Sequence, residues 1–92
     1  MSYSFAVRAS TLAAADLAIA AELEKIAAAQ PVHDRDRGLA LATAINMLGE
    51  CAVPEENEEW AISVAGSCFG QAGQPFEGLS LSIHINTLSK TS

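Results

Sequence analysis

Hydrophobic and polar residues alternate at the start of the chain: Tyr3, Phe5, Val7 and Ala9 fall on one side, Ser4, Ala6 and Arg8 on the other. A period of two predicts a strand with one buried face. Ser10 or Thr11 then offers a capping oxygen, and a helix is predicted from position 12 to about 30, where Pro31 forbids continuation. Its apolar stripe is Leu12, Ile19, Leu23 and Ile26, with Ala15 and Asp16 beside it and Leu17 pointing nearly opposite. Asp34 is the expected cap of a second helix ending near Cys51 or Ala52, before Pro54. Leu41, Ala44, Ile45, Leu48 and Ala52 make its stripe, widened by Ala40 and Met47. The connection between the two is short, so an antiparallel helical hairpin is expected.

Alternation returns twice more. Trp60, Ile62 and Val64 alternate with Ala61, Ser63 and Ala65 in a second strand that continues to about Cys68. After the turn chemistry of positions 70–75, Leu79, Leu81, Ile83 and Ile85 alternate with Ser80, Ser82, His84 and Asn86. Residues 87–92 read as a frayed end of a single domain spanning 1–92. The order β-α-α-β-β predicts an α+β, two-layer α/β sandwich: a three-stranded, mainly antiparallel sheet with a helical hairpin on one face. Strand 2 in the middle makes the sheet wholly antiparallel; strand 3 in the middle is the alternative, with one parallel pair.

Composition sharpens this picture. Half of the 92 residues are apolar, but 18 are alanine, so the core is small and an oligomeric contact would help it. A net charge of −6, with 5 Lys+Arg against 11 Asp+Glu, argues against nucleic acid or an anionic membrane as partner. Absence of a long apolar run, and of a convincing signal peptide, makes a soluble cytoplasmic protein with reduced thiols the expectation.

The residues that carry chemistry are sparse. In the predicted topology strand 2 separates Cys51 from Cys68 by about 26 Å, too far for a disulfide. His33 and His84 lie at opposite ends, so no metal site is expected. His33 and Cys68 can share one end, which leaves a small enzyme or an anion- or ligand-binding site near His33, Arg35, Arg37 and Cys68 as an alternative. Against it, strand parity puts Cys68 in the core. The run from His33 to Arg37, with Asp34 and Asp36, reads as a solvated helix start. Glu55, Glu56, Asn57, Glu58 and Glu59 read as a solvated loop without calcium-loop spacing. No catalytic residue and no cofactor is expected, and the chain reads as a non-enzyme.

The surface that stands out is the sheet face away from the helices. Ser4, Ala6, Arg8, Ser63, Ala65, Ser67, Ser80, Ser82 and His84 make it small-sided and nearly uncharged, with Phe69 and Phe76 adding apolar area. Sheet faces and edges are ordinarily guarded by lysine, proline or bulges, and here such guards are nearly missing. This points to self-association or to docking of another protein through that face or an edge strand. A wet, serine-rich face with no partner is the plainer alternative.

The segments Tyr3-Ser4-Phe5-Ala6-Val7-Arg8-Ala9, Ala20-Ala21-Glu22-Leu23-Glu24-Lys25-Ile26 and Gln30-Pro31-Val32-His33, with the later Ser80-Leu81-Ser82-Ile83, resemble small uncharacterised proteins of phage and prophage genomes. That resemblance implies an accessory or virion-associated protein that assembles with copies of itself or with another protein. It supplies no catalytic residues.

Overall fold

The computed structural model describes residues 2–69 and 73–90, so positions 70–72 of the expected turn and 91–92 of the expected tail lie outside the described residues. The elements are β1 (Ser2–Ala9), α1 (Leu12–Ala29), α2 (Asp34–Gly49), β2 (Glu58–Cys68) and β3 (Leu79–Ser89). The sheet order is β1-β2-β3 and both pairings are antiparallel. The fold is thus α+β in the expected order, with the middle position taken by β2.

Local chemistry sets the boundaries. Thr11 caps α1, its hydroxyl accepting from the Ala14 N–H at 3.1 Å, which satisfies one of the helix's open donors. At the far end Gln30 turns extended, and its side-chain amide donates to the Ser2 carbonyl at 3.4 Å, tying the helix end to β1. His33, not Asp34, caps α2: its Nδ1 accepts from the Arg35 N–H at 3.0 Å. An imidazole acceptor one residue earlier does the same work as the expected carboxylate. The helix also stops at Gly49, short of Cys51, where the Glu50 N–H turns back onto Met47 and Leu48 carbonyls.

The core lies between the hairpin and one sheet face. Ala15, Ile19 and Leu23 of α1 meet Ala40, Ala44 and Leu48 of α2 over Trp60, Ile62 and Val64. Alanine at the contacts lets the layers approach closely. Each fully buried Ile, Leu or Val contributes about 1.5–3 kcal/mol. Leu12, expected in the stripe, is exposed on the first turn of α1; Ala52 is exposed because α2 has already ended. β3 continues through Thr87–Ser89, paired with Glu58–Trp60, so these three residues are strand and not frayed tail. Glu58 and Glu59 correspondingly leave the expected acidic loop and join β2.

Candidate functional site

Two places hold the residues that sequence reasoning singled out. One is the end of the molecule where α2 begins and β2 ends. Asp36 is there, and it is wholly buried, not part of a solvated run. The Tyr3 hydroxyl donates to its Oδ1 at 3.3 Å. Its Oδ2 lacks a nitrogen or oxygen partner among the described residues, and the Cys68 thiol lies within hydrogen-bonding reach of the carboxyl. Burial pushes the carboxyl above the usual carboxylate range, an effect that Tyr3, Cys68 and His33 each offset in part. Burial likewise raises the Tyr3 phenol far above its ordinary value, helped by the Asp36 charge, so Tyr3 stays a donor.

Tyr3 reaches Asp36 because its strand partner is Gly66. A Cβ on Gly66 would overlap the Tyr3 Cζ and Oη, so the ring lies in the space that glycine leaves. The signals for this cluster were present but weak. Asp36 stands four residues before Ala40, in line with Ala44 and Leu48, and Gly66 interrupts the inward row of β2.

Around this sealed cluster the charged run is already engaged. His33 Nε2 pairs with the Gln74 carbonyl at 2.9 Å, and Phe76 meets the His33 ring edge-on at 5.1 Å. Arg35 lies over Phe76, 5.3 Å from the ring centre. His33 is therefore a half-buried cap and loop tie, not an exposed loop residue. Arg37 pairs with Asp34 at 2.7 Å and Glu24 at 3.4 Å. The Arg35, Asp36 and Arg37 N–H groups all bond to His33, so the helix start offers an anion few donors. Cys68 is 1% exposed and Asp36 is 0% exposed, which closes both to a substrate.

The second place is the sheet face away from the helices. Cross-strand register lays its residues in rows: Ser4, Ala65 and Ser82; Ala6, Ser63 and His84; Arg8, Ala61 and Asn86. Ser67 and Ser80 continue the pattern at the other end, with Ser67 half-buried. The small side chains leave a shallow groove of about 430 Å³ bounded by Ser4, Ser63, Ser82 and His84, followed by a second of about 240 Å³ toward Arg8. Ser82 Oγ and His84 Nε2 stand 3.3 Å apart. Activation of that hydroxyl would need a group to orient the imidazole and donors for an oxyanion. The groove's neighbours are serine, alanine and core side chains, none of which orients the imidazole. Arg8 pairs with Glu59 at 3.3 Å. Phe69 is 64% exposed, as expected of an outward residue, whereas Phe76 is held under His33 and Arg35.

Neither cysteine forms a disulfide. No helix among the described residues is long and apolar enough to cross a membrane. Comparison with protein-family models, curated proteins and solved structures finds no match.

Proposed function

We infer that the chain is a non-enzymatic assembly module that associates with copies of itself through the side of the sheet its helices leave uncovered or through an edge strand of that sheet. One observation carries this reading: an outer face of small side chains, grooved and continuous across all three strands, on which the strand charges Arg8 and Glu59 are paired at one end. Such a surface loses little on desolvation and lets another backbone approach closely. An accessory or virion-associated role fits a protein of this kind. The competing enzyme reading lacks a reachable reacting group beside His33, since Cys68 and Asp36 are sealed.

Light scattering over a concentration series tests the inference. The parent chain is expected to form a defined oligomer. Ser63→Lys with Ser82→Lys, which sets two ammonium groups diagonally on neighbouring strands, is expected to shift it toward monomer with the far-ultraviolet dichroism unchanged. A strict monomer at every concentration overturns the self-association reading.

A further inference from the structure

Backbone direction in β3 follows from two hydrogen bonds that continue its ladder with β2. The Phe69 N–H donates to the Gly78 carbonyl at 3.1 Å, and the Lys90 N–H donates to the Asn57 carbonyl at 2.8 Å. In an antiparallel pair, directly bonded positions recur at every second residue. The even positions of β3, from Ser80 to Leu88, therefore bond to β2. Leu79, Leu81, Ile83 and Ile85 turn their N–H and C=O groups to the sheet's open edge. No backbone hydrogen bond among the described residues reaches them from that side.

That edge has the features of a surface built for its own copy. It is 11 residues long and has no Asp, Glu, Lys, Arg or Pro, in a chain of net charge −6. It is thus where two copies meet with least mutual repulsion. Leu79, Leu81, Ile83 and Ile85 remain half-exposed on the helix side. The flank of α2 beside them is apolar too. Arg37 contacts Glu24 on α1, and the 3.6-residue period then turns Leu39 and Met47 away from α1, toward β3. These two are 40% and 36% exposed. The opposite edge is poorer: β1 is 8 residues long, carries Arg8, and its Ser2 carbonyl is taken by Gln30.

We propose that β3 pairs antiparallel with β3 of a second copy across a two-fold axis at Ser82, joining two sheets into one of six strands. This rests on the self-association reading and names its contact. The axis at Ser82 sets Leu81 opposite the partner's Ile83, and Leu79 opposite the partner's Ile85, so every edge-facing aliphatic residue meets another. An axis at His84 sets Leu79 and Leu81 against serine and threonine instead. The Ser82 register also makes the bonded pairs those whose backbone groups face outward. Ser82 itself becomes a non-bonded pair, where Cα atoms come closest and a small side chain fits. The Ser82 register pairs the seven residues Leu79–Ile85 of each copy, a new ladder about 24 Å long.

Disulfide trapping in a Cys51→Ser chain, combined with light scattering, tests the register. Facing positions of a non-bonded pair, about 4.5 Å apart at Cα, suit a disulfide. Ser82→Cys is expected to convert to covalent dimer on mild oxidation. Ser80→Cys alone is expected to stay uncoupled, because the two copies of position 80 lie about 13 Å apart. Ser80→Cys mixed with His84→Cys is expected to give the mixed dimer. An oligomer in which Ser82→Cys fails to couple, or in which Ser80→Cys couples equally well, overturns the β3 register and leaves self-association standing. A chain that stays monomeric overturns both.

Discussion

Substituting Gly66→Ala isolates the packing on which the buried cluster depends. The added Cβ would occupy the position of the Tyr3 ring's Cζ and hydroxyl, so the ring must leave its place over β2. Crowding of this kind costs about 1–3 kcal/mol. Displacing the ring also withdraws the hydroxyl from Asp36 Oδ1, leaving a fully buried carboxyl without an oxygen donor, at a further ~1–3 kcal/mol. Alanine recovers roughly 0.5–1 kcal/mol over glycine within a strand. The expected loss is therefore about 1–5.5 kcal/mol, and its centre near ~3 kcal/mol corresponds to a fall in Tm of roughly 10–25 °C for a domain of this size. Urea unfolding followed by the fluorescence of the buried Trp60 measures it. The same substitution in a Tyr3→Leu chain, which has no ring hydroxyl to displace, should cost less than about 0.5 kcal/mol. Equal costs in both backgrounds, or no cost in the parent, would refute the reasoning.

Two further outcomes follow from the same end of the molecule. Burial raises the Asp36 carboxyl above its unfolded value, so the folded chain holds this proton more tightly than the unfolded one. The stability this contributes is full below the ordinary carboxylate range and is lost as pH rises through the raised value. Asp36→Asn keeps an oxygen for Tyr3 and removes the ionisation, so its stability relative to the parent should increase as pH goes from about 4 to 8; parallel urea profiles across that range would count against it. His33→Ala removes both the α2 cap and the Gln74 contact and should cost about 1–2 kcal/mol, whereas His33→Asn, still able to cap, should recover part of that. Thermal unfolding of the two variants decides the point, and equal losses would show that the cap contributes nothing.

Much of this architecture is legible along the chain because its signals are local. The outward row Ser4, Ser63, Ser82 and His84 follows from strand parity alone, and Pro31 and Pro54 bracket the helices. What escaped reading depends on a partner far away in sequence. Asp36 sits in a charged run that resembles a wet helix start, and its burial is offset by Tyr3, more than thirty residues earlier, and Cys68, more than thirty later, as well as by His33 nearby. Gly66 has meaning only opposite that ring. The reach of β3 to Ser89 is set by the length of β2, since Thr87, Leu88 and Ser89 lack an inward pattern but find Trp60, Glu59 and Glu58 waiting. The α2 cap escaped because Asp34 is the commoner choice, and the imidazole one residue earlier was turned inward by its tie to Gln74.

Placing β2 at the centre has a consequence for how the chain assembles. β1 finds its sheet neighbour more than fifty residues later, while the two helices intervene. During synthesis Tyr3, Phe5 and Val7 emerge long before the strand that will hold them, with the nascent hairpin as their nearest cover. The β2–β3 ladder closes a far shorter loop, so loop-closure entropy favours its formation ahead of the β1–β2 pairing. On that ground β1 is the strand expected to dock last.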